Sequence, residues 1–279
     1  MKEKTDQNYF LIDSGDGKKL EQVGPYRLIR PCYQAAWSPR NQELWDSAQA
    51  AFSREPMNCW EGRESLPDSW KIEIEGINFL IKATDFGHLG VFPEQRAQWK
   101  WIRDKVASSG RQVSVLNLFA YSGGSTLAAA LGGAEVCHLD ASKGMVSWAR
   151  ENASLNQLEE APIRWIAEDA LKFILREEKR GRRYDAIILD PPTFGRGAKG
   201  EVFKIEEMII PLLDGCNRLL SDNPLFVLLS SHTPGYTPTV LHHLLLDRLG
   251  TGTIEAGEML LQGDQTWEIP SGVYGRWIP

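Results

Sequence analysis

Residues 113–131 read VSVLNLFAYSGGSTLAAAL, and their reading decides the fold. An apolar run at 113–119 passes directly into a turn bearing Gly123 and Gly124, and helical periodicity follows over 124–131. A continuous apolar run, in place of a strict alternation, marks a strand covered on both faces. The same strand-then-helix unit recurs downstream. Apolar runs at 135–140 (EVCHLD), 163–168 (IRWIAE), 184–190 (YDAIILD) and 225–231 (LFVLLSS) predict strands, and helices are predicted over 142–156, 170–180, 203–220 and 236–249. Two further strands are expected near 253–261 and 272–278. The alternation predicts an α/β fold, a doubly wound, Rossmann-like sheet of seven mostly parallel strands.

The first hundred residues differ. DSGDG at 13–17, GPY at 24–26 and RPCYQAAWSPR at 30–40 are turn-rich, with short β-like runs between them. A helix is expected around 41–53, and KIEIEGINFLIKAT at 71–84 reads as a hairpin turning at Glu75-Gly76. EQRAQWKWIRDKVAS then forms a helix that links two parts. The expected organisation is a smaller β-rich domain over 1–90, a linking helix over 91–110 and the α/β domain over 111–279. Trp37, Trp45, Trp60, Trp70, Trp99 and Trp101 concentrate in this first part, where packing explains them more simply than a platform for nucleobases.

Composition narrows the function. A chain of 279 residues with 42 % hydrophobic and 24 % charged residues is ordinary for a globular protein. No apolar run approaches the roughly 18 residues of a membrane span, and the N-terminus lacks the apolar segment of a signal peptide, so the expected location is cytoplasmic. Cys32, Cys59, Cys137 and Cys216 are dispersed and His242-His243 are adjacent, so no metal site is expected. A net charge of −6 opposes phosphate-rich partners without excluding a local basic patch.

In doubly wound sheets the ligand sits beyond the carboxyl ends of the strands, where small residues allow close backbone approach. NLFAYSGGST supplies the turn there. The second strand ends at Asp140, suited to a ribose diol, and the third in Glu168-Asp169, suited to an exocyclic amine such as adenine's. Either carboxylate could instead be the N-cap of the following helix. Their occurrence in order beside the glycine turn favours an adenosine-containing cofactor. The spacing G-x-G-x-x-G is missing, as is G-x-x-x-x-G-K-[ST]. That argues against a nicotinamide dinucleotide and against ATP, and for S-adenosylmethionine, which carries no phosphate.

These stretches, with HLDASKGMVSWARENASLN at 138–156, WIAEDALKFI at 165–174 and YDAIILDPPTFGRG at 184–197, resemble the class I S-adenosylmethionine-dependent methyltransferases. They are most similar to the bacterial group related to large-subunit ribosomal RNA methyltransferases, to which FGHLGVFPEQRAQW also bears likeness. The resemblance implies that Asn117, Phe119, Ala120 and Gly123 line the cofactor's methionine and ribose. It implies that Asp140, with Ala141 and Ser142, holds the ribose, and that Asp169 and Ala170 meet adenine. Asp190, Pro191 and Pro192 would stand between donor and acceptor, with Thr193, Phe194, Arg196 and Lys199 toward the substrate. RNA is the implied substrate class, ribosomal RNA first; a protein or small molecule, or a module that binds the cofactor without turnover, are the alternatives.

Two departures matter. The group's cytosine-C5 members place a cysteine after the fifth strand, where this chain has Ser231-His232, so that chemistry is not expected. Thr193 stands where lysine or an aromatic would follow the prolines. Prolines with fixed φ hold their carbonyls in place, and with Asp190 they suit an amino group presented to a methyl. GRGAKGEVFK at 195–204 is expected to be either a solvated loop or a lid over an anionic substrate, and KRGRR at 179–183 a solvated turn.

Overall fold

The computed structural model describes residues 8–196, 202–263 and 266–279. The chain divides into two compact units, 1–96 with 260–271 and 97–259 with 272–279. Residues 260–271, counted with the α/β domain from sequence, thus fall in the first unit.

The first unit holds a five-stranded sheet of β1 (Tyr9–Gly15), β2 (Lys18–Val23), β3 (Tyr26–Pro31), β4 (Ala50–Ser53) and β5 (Cys59–Glu61), in that order. The helix expected over 41–53 is a correction. The chain makes a 3-10 turn at Gln42–Ser47 and then runs as β4, parallel to β3 and antiparallel to β5. Its residues bury alternately, Ala50 and Phe52 inward, which is a strand's period of two. Trp45 closes the turn by donating from Nε1 to Asp13 Oδ2 at 3.0 Å. The hairpin of β6 (Trp70–Ile74) and β7 (Ile77–Ile81) turns at Glu75-Gly76, both at positive φ (52° and 74°), which matches the twist of the flanking strands.

The second unit opens with helix α1 (Arg96–Ala107, Arg96 itself belonging to the first unit) and continues as the predicted alternation. Its elements are β8 (Ser114–Leu118), α2 (Gly124–Leu131), β9 (Glu135–Asp140), α3 (Lys143–Leu155), β10 (Ile163–Ala167), α4 (Ala170–Lys179) and β11 (Ala186–Leu189). After β11 comes a short antiparallel pair, β12 (Phe194–Arg196) and β13 (Val202–Lys204), then α5 (Ile205–Leu219), β14 (Phe226–Ser231) and α6 (Pro238–Leu249). The strands β15 (Thr253–Leu261) and β16 (Ile269–Ile278) complete a seven-stranded sheet of order β10-β9-β8-β11-β14-β16-β15. The pairings from β10 to β14 are parallel, and β16 runs antiparallel to β14.

Both faces are covered, as the continuous apolar runs require. Leu116, Leu118, Leu139, Val227 and Leu229 pack against Phe173 and Ile174 of α4, Leu212 and Cys216 of α5, and Leu241 and Leu245 of α6. The opposite face carries Asn117, His138 and Phe226, met by Thr126 of α2 and Trp101 of α1. From β8 the chain winds outward to β9 and β10, then returns to place β11 on β8's other side. The reversal between β8 and β11 is the switch point at which this architecture binds ligands.

Beneath β9 and β10 lies a buried ion cluster. Glu177 of α4 accepts both guanidinium NH groups of Arg164 at 3.0 Å and the Tyr184 hydroxyl at 2.7 Å. Burial alone would raise its carboxyl, but these partners hold it at about 2.

Candidate functional site

The carboxyl end of β8 runs into a turn whose conformation no regular element supplies. Phe119, Tyr121 and Gly123 all have positive φ (56°, 51° and 96°), so successive peptides reverse within a few residues. Positive φ is unfavourable for residues with a Cβ and persists where surrounding contacts impose it. Three contacts do so. The Ala120 N–H donates to the Leu139 carbonyl at 3.0 Å, the Tyr121 N–H to Asp140 Oδ2 at 2.9 Å, and Asn152 of α3 donates from Nδ2 to the Ser122 carbonyl at 2.9 Å.

Asp140 ends β9 and joins two elements. Oδ2 takes the turn's N–H and Oδ1 the Ser142 N–H at 2.8 Å. Burial raises its carboxyl above the ordinary value, opposed by the hydrogen bonds from Ser142 and Tyr121. Each oxygen retains a further lone pair. Ser142 is the N-cap of α3, its hydroxyl accepting from Met145 N, while Ala141 is exposed beside it. Asp169 is the N-cap of α4, accepting from Lys172 N at 3.0 Å, and Glu168 pairs with Arg176. Ala170 is buried in the core. Capping and ligand binding are compatible for Asp169, because a carboxylate offers more acceptor sites than one cap bond uses.

The glycines of the turn are also constrained by packing. A Cβ on Gly123 would come within 3.2 Å of Ala149 Cβ in α3, and one on Gly124 within 2.7 Å of the Trp99 indole in α1. Close approach of helices, together with Gly123's positive φ, therefore requires these glycines.

Asn117 also has a role that its position in the motif did not disclose. It is buried, and Nδ2 donates to Thr126 Oγ1 at 2.9 Å, which lies 2.9 Å from His138 Nδ1. His138 is Asn117's register partner on β9. Burial, and secondarily the Arg150 cation, push the imidazole down to about 3, so it is neutral at pH 7. This triad fixes the base of the turn. A histidine in the apolar run EVCHLD was its sequence signal.

On the other side of the switch, Asp190 follows β11, with Pro191 buried and Pro192 exposed. Thr193 and Thr233 share a hydroxyl–hydroxyl hydrogen bond of 2.8 Å, joining the loop after β11 to the loop after β14. His232 Nδ1 stands 3.5 Å from Asp190 Oδ1. Phe194 is 53 % exposed at the start of β12. The segment expected as a loop or lid is, in its described part, the β12–β13 ladder, and Phe203 of β13 packs edge-on against Phe119 of the turn at 5.4 Å. Arg196 lies in β12; Lys199 lies outside the described residues.

The turn, Asp140 and Ser142 are thus brought into direct contact, with Asp169 one strand away and Asp190 on the neighbouring strand across the switch. Sequence reasoning had not singled out Thr126, His138, Asn152 or Thr233. Among the described residues no group of three or more His, Cys, Asp or Glu could hold a metal ion, and no helix is long and apolar enough to cross a membrane.

A family model for S-adenosylmethionine-dependent methyltransferases matches residues 32–212, more than half of the chain. The chain belongs to that family. A methyltransferase of this kind from Agrobacterium tumefaciens, known from its crystal structure, is 41 % identical, with 98 % of this chain and 90 % of that one covered and a TM-score of 0.93. The ribosomal RNA large subunit methyltransferase K/L of Shewanella frigidimarina is 33 % identical over 162 residues, covering 56 % of this chain and 22 % of that protein. This chain thus spans only about a fifth of the length of that curated relative. The structure of SMU.776 complexed with SAH shares the fold at 20 % identity and a TM-score of 0.74, over 98 % of this chain and 76 % of that one. The family cofactor fits the residues present: a half-buried carboxylate with lone pairs to spare for a diol, a second at the next strand end, and a turn held in place by three hydrogen bonds.

Proposed function

We propose that this methyltransferase transfers a methyl group to RNA, with ribosomal RNA the first substrate to test. The observation that carries the reading is Asp140, whose carboxylate ties the β8 turn to the start of α3 and keeps acceptor capacity for a ribose. Bound there, S-adenosylmethionine supplies an electrophilic methyl on a sulfonium. The chain's part is to bind, orient and exclude water. In this reading the turn residues Asn117, Phe119, Ala120 and Gly123 contribute through their backbone, since the Asn117 amide is spent on Thr126. Asp140, Ala141 and Ser142 hold the ribose, and Asp169 with Ala170 meets adenine. Asp190, Pro191 and Pro192 face the acceptor, flanked by Thr193 and the exposed ring of Phe194. Arg196 and Lys199 are assigned to the substrate on charge alone.

The RNA assignment draws on the relatives named as ribosomal RNA large subunit methyltransferases. With it go a role in ribosomal RNA processing and a cytoplasmic site of action. Residues 1–90 serve as an accessory β-rich domain and 91–110 as the linking helix, and the transfer chemistry resides within 111–279. The net charge of −6 favours a second reading, methylation of a protein or a small molecule.

Mass spectrometry of ribosomal RNA nucleosides from a deletion strain and its parent tests the first reading. One methylated nucleoside missing from the deletion strain is expected. Identical nucleoside profiles, with tritiated methyl entering total protein in place of total RNA, would move the assignment to the second.

A further inference from the structure

We propose that the exposed indole of Trp267, backed by Trp37 and Arg40, is a stacking platform for an unpaired base of the RNA. The inference rests on the RNA reading above and adds a contact to it. All three residues lie in the first unit, Trp267 within its returning segment 260–271. The rings of Trp37 and Trp267 stack, with centroids 6.2 Å apart and planes 29° from parallel. The Arg40 guanidinium carbon stands 5.8 Å from the centroid of the Trp267 ring. Packing accounts for Trp45, Trp70 and Trp99, which are buried, but Trp267 is 57 % exposed.

Strand β1 and the turn after it hold the stack. Trp37 donates from Nε1 to the Ser14 carbonyl at 3.1 Å and to Ser14 Oγ at 3.2 Å. Its own carbonyl accepts from the Asp16 N–H at 2.7 Å. Asp13, buried on β1, gathers the other two members. Its Oδ1 accepts from the Arg40 N–H at 3.3 Å and from the hydroxyl of Thr266, the residue before Trp267, at 3.1 Å. Gly263 bridges to Leu11 of β1 as well. These contacts already fasten 260–271 to β1, and the fastening does not call for an indole left in water. A ring fixed in advance loses little freedom when a base settles on it.

Size and charge choose the occupant. The exposed residues bonded to the stack or next to it in sequence include Asp16, Ala36, Ser38, Arg40 and Glu268, and all but Ala36 are polar. A protein partner buries about 800 Å² on each side around an apolar centre, which these polar neighbours do not supply. A nucleobase needs one ring face, and every base has a π-face to offer. Arg40 provides a cation for the phosphate beside a stacked base, while Asp16 and Glu268 are anionic. The ring, and not a basic field, therefore carries the contact, which suits a chain of net charge −6. Paired bases are already stacked on one another, so the platform selects unpaired segments.

Fluorescence anisotropy tests the platform, with the full chain and a labelled RNA oligonucleotide of mixed sequence, single-stranded or annealed to its complement. Trp267→Ala is expected to weaken single-strand binding about tenfold, Trp267→Phe to restore most of it, and neither to change duplex binding. Calorimetry with S-adenosylmethionine and the melting temperature should match wild type in both variants, which separates a lost contact from a damaged fold. In tritiated-methyl transfer to total RNA from a deletion strain, Trp267→Ala should raise KM about tenfold and leave kcat in place. Equal single-strand affinity in wild type and Trp267→Ala, a Trp267→Phe as weak as the alanine variant, or an equal loss on duplex overturns the platform. Methyl label that enters total protein and falls with Trp267→Ala gives the face to a protein substrate and overturns it too. A wild-type chain that labels no RNA overturns the underlying reading instead, and the anisotropy still decides whether the platform exists.

Discussion

Acidification should weaken this protein through His138 before its carboxylates respond. The imidazole is held at about 3 in the folded chain, against about 6.5 for an unperturbed histidine. Between those values the unfolded chain binds a proton that the native chain refuses, so stability falls as pH falls. The contribution is complete above about pH 6.5 and declines by roughly 1.4 kcal/mol per pH unit below it. At pH 5 the loss is about 2 kcal/mol. Glu21 and Glu177, both lowered to about 2, lose their stabilisation only below the ordinary carboxylate range. His88 is also lowered, by burial and by the Arg30 and Arg54 cations, and gives a loss of the same sign on acidification, so a control is needed. Urea unfolding of wild type and His138→Gln at pH 7.5 and pH 5, followed by circular dichroism, supplies it. With a slope of about 3 kcal/mol/M, the wild-type midpoint should fall by about 0.7 M more than the variant's. Equal falls would refute a neutral buried imidazole. Because the triad anchors the base of the β8 turn, the same acid step should also reduce affinity for S-adenosylmethionine in the wild type.

Asp140→Ala removes a charged acceptor from the turn and from α3, and calorimetry should show S-adenosylmethionine binding weakened at least about tenfold; wild-type affinity would remove Asp140 from the site. Gly124→Ala drives a methyl against the Trp99 indole and should cost about 1–3 kcal/mol, read as a lowered melting temperature. Glu177→Ala leaves the buried Tyr184 hydroxyl without its acceptor and Arg164 without its bidentate partner. It should destabilise by about 3 kcal/mol in urea while leaving the turn's hydrogen bonds to Asp140 in place.

The parallel strands were legible because burial on both faces writes itself as an unbroken apolar run. AIIL at 186–189 is buried throughout, and its boundaries differ little from the sequence reading. Residues 41–53 misled for the converse reason. A helix was expected there, but the Trp45 indole is held by Asp13, a partner 32 positions earlier that no local periodicity announces. The site divides the same way. Asp140 and Asp190 were visible because they end strands. Thr126 and His138 were not, because only the pairing of β8 with β9 brings Asn117 beside His138. His232 was noticed merely as standing in place of a cysteine. Its relation to Asp190 depends on β14 lying next to β11, a fact of strand order that linear spacing does not encode.

The boundary of the first unit has a practical consequence. Strand β15 leaves the second unit after Met259, and β16 rejoins it at Gly272. The polypeptide therefore passes from one unit to the other three times, and no single cut separates them. A truncation beginning at residue 97 keeps 260–271 as a detached piece of a unit it no longer contains, and one ending at 96 lacks that piece. Attempts to isolate the methyltransferase core are best made by replacing 260–271 with a short linker between Met259 and Gly272. The N-terminal unit would need the excised segment appended to its own end. Fragments designed from the linear order alone would be expressed incomplete, and their failure to fold would say nothing about the stability of either unit.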